Sequence, residues 1–112
     1  MKITDLKPEI VWKFFHQVTQ VPRPSKKEGK MIQYLESFAK EYKIAIKKDA
    51  AGNILMSKPA TPGKEKLPIV VLQSHMDMVC EKNNGTKHDF DNDPIETIVD
   101  GEWLRANGTT LG

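Results

Sequence analysis

Pro68-Ile69-Val70-Val71-Leu72-Gln73-Ser74-His75-Met76-Asp77-Met78-Val79 is the stretch whose reading decides the fold. Its four consecutive apolar residues, three of them β-branched, predict a strand buried on both faces, as in a parallel or mixed α/β sheet. The run turns polar at Gln73-Ser74-His75, where such a strand leaves the core at its carboxyl end, the edge at which ligands gather in open α/β sheets. In strand geometry His75 and Asp77 project to the same side. A neutral imidazole and a carboxylate at that spacing suit zinc in two ways: both ligate, or His75 ligates while Asp77 fixes its tautomer. The plainer reading is a capped, hydrogen-bonded strand end.

The chain has 112 residues, enough for one domain with a modest core. Acids and bases are interspersed at a net charge of +2, so no basic patch points to nucleic acid. No stretch is apolar enough for a bilayer span or a signal peptide. Cys80 is the single cysteine, so no internal disulfide is possible and a cytoplasmic protein is expected.

Outward from the central stretch, Ile10, Val11, Phe14, Phe15 and Val18 recur at helical spacing, with Pro8 at the first helical position, predicting a helix over 7–17. Pro22 and Pro24 stop it. Ser25-Lys26-Lys27-Glu28 reads as a capping box opening a second helix, whose stripe is Met31, Ile32, Leu35, Phe38, Ala39 and Tyr42. Ile44-Ala45-Ile46 and the segment from Asn53 to Ser57 flank a turn at Ala51-Gly52-Asn53 and predict a hairpin. Residues 59–66 form a solvated loop, too short to separate domains. Ile95 to Val99 and Trp103 to Ala106 flank Asp100-Gly101, a type I′ hairpin signal, and Asn107-Gly108 makes a further turn. The expected architecture is α/β: two helices, a hairpin, the central buried strand and a second hairpin.

The remaining candidates are weaker. His88 and Asp89 could join a metal or substrate site, though a structural loop is the more ordinary reading. The alternation of Asp89, Asp91 and Asp93 lacks the glycine and distal glutamate of a calcium loop. His16 lies beside apolar helical residues and reads as structural; Cys80 has no second cysteine for a zinc-finger spacing. Catalytic zinc needs three protein ligands and an open position, so one good histidine and one companion aspartate leave the machinery incomplete.

The order of motifs resembles a known family. Residues 70–79 are similar to the first metal motif, apolar strand then His-x-Asp, of the co-catalytic zinc exopeptidases that include carnosinases, aminoacylases and tripeptidases. Val21-Pro22-Arg23-Pro24-Ser25, Lys82-Asn83-Asn84 through His88-Asp89-Phe90, and Asp100-Gly101-Glu102-Trp103 through Gly108-Thr109-Thr110-Leu111-Gly112 resemble its aminoacyl-histidine dipeptidase branch, often called peptidase D. The resemblance implies that His75 ligates one of two zincs (manganese or cobalt also suit such sites) and that Asp77 serves catalysis by orienting the imidazole. It further implies that residues 1–112 are the N-terminal part of the catalytic domain, ending before the aspartate that bridges both metals. The general-base glutamate, the other ligands and a lid or dimerisation domain would follow. The complete enzyme would be a cytoplasmic homodimer cleaving Xaa-His dipeptides, with no nucleic-acid or membrane partner, and this piece alone would be inactive. A related tripeptidase or acyl-amino-acid hydrolase, and a small non-catalytic zinc-binding or interaction domain, are the alternatives.

Overall fold

The computed structural model describes residues 1–112. Its elements are a 3-10 turn at Ile3–Asp5, helices α1 (Glu9–Thr19) and α2 (Gly29–Glu41), and strands β1 (Ala45–Lys48), β2 (Ile54–Ser57), β3 (Thr97–Asp100) and β4 (Trp103–Ala106). Both sheets are antiparallel two-stranded hairpins, β1-β2 and β3-β4. The mixture of helix and strand agrees with the expected class. The chain divides into two compact units, one of Met1–Met31 with Met76–Gly112, the other of Ile32–His75.

In the first unit, Pro8 is the N-cap of α1 rather than its first helical residue, and the helix runs two residues past the expected end. The stripe is only partly covered: Ile10 and Val11 are exposed, Phe14, Phe15 and Val18 are half-buried, and the buried residue of the helix is Thr19. Thr19 closes the helix by donating its hydroxyl to the His16 carbonyl at 2.7 Å, and its own carbonyl accepts the Ile95 amide at 2.9 Å. The β3-β4 register pairs Asp100 with Trp103, so Gly101 and Glu102 are the loop residues, one position beyond the expected Asp100-Gly101 centre. Only Gly101 of these two has a positive φ, +58°, which is the pattern of a type II′ turn and not of type I′.

The capping box is absent. Lys26 adopts a left-handed φ of +71°, the chain turns again through Lys27, whose amide donates to the Pro24 carbonyl, and α2 starts only at Gly29. Ser25 is therefore one turn too early to cap the helix. Glu28 accepts the Lys26 amide at 2.7 Å instead of reaching back to Ser25.

In the second unit, α2 ends in a Schellman motif, with Ile44 N–H bonded to Ala39 at 2.8 Å, Lys43 N–H to Lys40 at 3.3 Å, and Lys43 itself left-handed. The β1-β2 hairpin alternates as period-two patterning requires: Ile46, Ile54 and Met56 point inward, and Leu55 faces out. Lys48 reaches back from β1 to Glu36 on α2 at 2.9 Å.

The central strand is the main correction. No strand forms over residues 68–77, and Ile69, Val70, Val71 and Leu72 are 91%, 83%, 77% and 93% exposed. An extended segment becomes a strand only when a neighbour accepts its backbone hydrogen bonds. Both sheets of this chain are closed two-stranded ladders, and neither pairs with this run.

The loop between β1 and β2 is built on Asp49. Its carboxylate accepts the Asn53 amide at 2.8 Å, the Asn53 side chain at 2.8 Å and the Ala51 amide at 3.0 Å. The Asn53 side chain, then the loop amides, hold this exposed carboxyl below its ordinary value. A group depressed on folding supports the fold above its unfolded pKa and ceases to do so as pH falls through the folded one. An NMR titration is expected to find Asp49 titrating below the usual aspartate range, with Ala51 and Asn53 amide protection lost across the same low-pH window. Asn53→Ala should move that titration upward.

Candidate functional site

The C-terminal end of the expected strand is where the first unit concentrates its long-range polar bonding. Met78 is 3% exposed and pairs in parallel with Pro24: its amide donates to the Arg23 carbonyl at 2.9 Å and its carbonyl accepts the Ser25 amide at 3.3 Å. Val21-Pro22-Arg23-Pro24 suits this pairing because each proline holds its predecessor extended. Arg23 fixes the loop from beneath, donating to the Val18 carbonyl at the end of α1 at 3.0 Å. Its burial pulls the guanidinium pKa down, with Cys80 acting in the opposite sense.

A second clamp comes from the Gly108–Thr110 segment. Lys82 bridges Thr109 in antiparallel fashion, Asn83 N–H donates to Gly108 at 2.8 Å, and Thr110 N–H donates to Glu81 at 2.9 Å. The Thr110 hydroxyl donates to the Val79 carbonyl at 2.6 Å. Residues 78–83 thus have the Arg23–Ser25 segment on one side and the Gly108–Thr110 segment on the other.

Asp77 lies at the head of this clamped segment, half-buried, and its Oδ2 accepts the Ser25 hydroxyl at 2.6 Å. That contact was not foreseen, because the capping-box pattern assigned the Ser25 hydroxyl to Glu28. The signal available was the pair of prolines that keeps residues 21–25 extended and free of the helix. His75 is exposed and is the last residue of the other unit.

The other candidates fall apart from Asp77. Asp89 and Asp93 organise their own loop: Asp89 accepts the Asp91 amide at 2.9 Å and the Asn92 side chain at 2.7 Å, and Asp93 accepts the Asp89 amide at 2.8 Å. Asn92 and the Asp91 amide hold the Asp89 carboxyl below its ordinary value. Asp91 meets Lys27 at 3.1 Å. The His88 ring packs edge-on to Phe90 with centroids 4.5 Å apart. Nε2 of His88 and Nδ1 of His16 are buried without a protein partner, and both residues line a cavity of about 1150 Å³ that Asp77 does not border. Burial, and then the Asp91 carboxylate, push the Cys80 thiol up, away from the thiolate that a metal ligand requires. No three His, Cys, Asp or Glu side chains come together as a metal site. An imidazole backed by a carboxylate fits zinc as part of a ligand set, and these residues do not complete one.

Comparison with known proteins supplies the context. The chain is 46% identical over 111 residues to the cytosol non-specific dipeptidase of Escherichia coli strain K12, a match covering 99% of this chain and 23% of that protein. Its structure superposes on the crystal structure of aminoacylhistidine dipeptidase from Vibrio alginolyticus with a TM-score of 0.95 and 46% identity, over 100% of this chain and 23% of that one. The chain resembles these dipeptidases from end to end. It spans about a quarter of their length. No family model matches the sequence. No helix is long and apolar enough to cross a membrane.

The dipeptidase-like segment ending in Leu111-Gly112 depends on one glycine. Gly108 has φ +74°, and a Cβ there would meet the Thr86 hydroxyl at 2.6 Å. Gly108→Ala is expected to destabilise the protein by about 1–3 kcal/mol, read as a lowered melting temperature. Adding Thr86→Ala should restore part of the loss by opening space, while the strained φ persists.

Proposed function

We propose that these 112 residues are the N-terminal part of the catalytic domain of a zinc-dependent dipeptidase, and that they do not catalyse alone. The end-to-end 46% identity to two dipeptidases carries the reading. It is supported by the exposed run Ile69–Leu72, since apolar residues of this kind are stable when further strands cover them. It is supported also by the incomplete donor set, which leaves the other ligands and the general base to chain outside these residues.

In this reading His75, as a neutral imidazole, holds one of two zincs, and Asp77 sets the tautomer and direction of that ring. Zinc supplies a Lewis acid for the scissile carbonyl and lowers the pKa of a bound water. The contribution of this chain is to fix the ligand-bearing segment: the Ser25 hydroxyl bonds Asp77, the Arg23 carbonyl accepts the Met78 amide, and the Thr110 hydroxyl bonds the Val79 carbonyl. The substrates are dipeptides, Xaa-His among them. One relative is named for aminoacylhistidine substrates and the other as non-specific, which supports a range wider than Xaa-His alone. The cytosolic relative supports a cytoplasmic enzyme, which we take to act as a homodimer.

The test is hydrolysis of a dipeptide panel including Xaa-His by the complete protein, with zinc, manganese or cobalt added after chelation. Metal-restored activity that His75→Ala lowers by a hundredfold or more, on the order of a lost ligand's effect, is expected. No metal-dependent hydrolysis by the complete protein would contradict the proposal.

A further inference from the structure

We infer that Ser25 is a positioning residue of the dipeptidase site, acting by fixing the carboxylate of Asp77. The inference rests on the reading of His75 and Asp77 given above. Its own observation is the contact between the Ser25 hydroxyl and Asp77 Oδ2, at 2.6 Å and across 52 residues of sequence.

A hydroxyl donating to a carboxylate at that distance is a short, charge-assisted hydrogen bond. The same hydroxyl lies 3.4 Å from the Met78 carbonyl, a longer contact to a neutral acceptor, so the carboxylate takes its single proton. Rotation about the last bond of an aspartate is soft and roughly two-fold. Holding Oδ2 stops that rotation and so sets where the second oxygen points. In the proposed site, that direction is what orients the His75 imidazole two residues earlier.

A purely structural staple is the competing role, and the surrounding bonds argue against it. The Ser25 segment is already tied to Met78 through backbone groups, at 3.3 Å from the Ser25 amide and 2.9 Å to the Arg23 carbonyl. Arg23 anchors the same loop to α1. None of these bonds uses the hydroxyl. Removing it leaves the backbone pairing intact and takes away the restraint on Asp77 together with the longer contact to the Met78 carbonyl. Ser25 is solvent-exposed, so water replaces part of the lost bond and the added methyl of threonine has room.

The experiment compares wild type, Ser25→Ala, Ser25→Thr and His75→Ala in the complete protein. It measures zinc affinity by chelator competition, kcat and KM on an Xaa-His dipeptide, and the melting temperature of the zinc-free protein. Partners that orient a metal-bound histidine contribute about 10- to 100-fold in affinity or activity. Acting one bond further out, Ser25→Ala is expected to weaken zinc binding and lower kcat by roughly 3- to 10-fold. KM and melting temperature should be nearly unchanged, and Ser25→Thr should recover most of the loss. Wild-type zinc affinity and kcat in Ser25→Ala, while His75→Ala loses both, would overturn the role of Ser25 and leave the dipeptidase reading standing. So would a loss that threonine does not rescue, or one matched by a fall in melting temperature. A wild-type protein that neither binds zinc nor cleaves dipeptides would overturn both.

Discussion

The paired restraint on residues 77–83 is the constraint on which the candidate site depends. Met78 exchanges backbone hydrogen bonds with the Arg23–Ser25 segment, and residues 79–83 are bonded to Gly108–Thr110. These contacts join parts of the chain more than fifty and roughly thirty residues apart. A single such bond contributes only about 0.5–1.5 kcal/mol. Their value lies in direction, since several bonds converging on a short segment leave its backbone one position. Arg23 extends the restraint to α1 with a largely buried guanidinium, whose hydrogen bond is of the stronger, charged kind.

Periodicity made the two helices and both hairpins legible. Residues such as Phe14, Phe15, Met31 and Ala39 fall at 3.6-residue spacing, and Ile46, Ile54 and Met56 alternate, because burial on one face imposes those periods. What failed were features set by contacts distant in sequence. The run Ile69–Leu72 carries the composition of a buried strand, yet composition does not provide a neighbour, and none of the chain's four strands pairs with it. Ser25 and Glu28 have capping-box spacing, but the left-handed Lys26 between them breaks the geometry and releases the hydroxyl to Asp77. The hairpin after β3 was recognisable from Asp100-Gly101, whereas its register, and with it the turn type, follows from cross-strand pairing.

The candidate site was legible in part. His75 and Asp77 stand as candidates by residue type and spacing, and the segments around them resemble dipeptidases. The assisting side chains Ser25, Arg23 and Thr110 were not legible, since a serine, an arginine and a threonine in loops have many ordinary uses. Only the fold brings the Ser25 and Thr110 hydroxyls onto the segment beyond His75 and ties the neighbouring loop to α1 through Arg23. The pairing of an exposed apolar run with a rigid polar clamp at its end fits our proposal that further strands complete the sheet and further ligands complete the metal site.

The central claim is that His75 is a zinc ligand. The most direct measurement is anomalous X-ray scattering at the zinc edge from crystals of the complete protein grown with zinc. The account predicts a zinc peak about 2.0–2.1 Å from a His75 ring nitrogen. Zinc bound elsewhere with the His75 imidazole unligated, or no zinc at all, would contradict it.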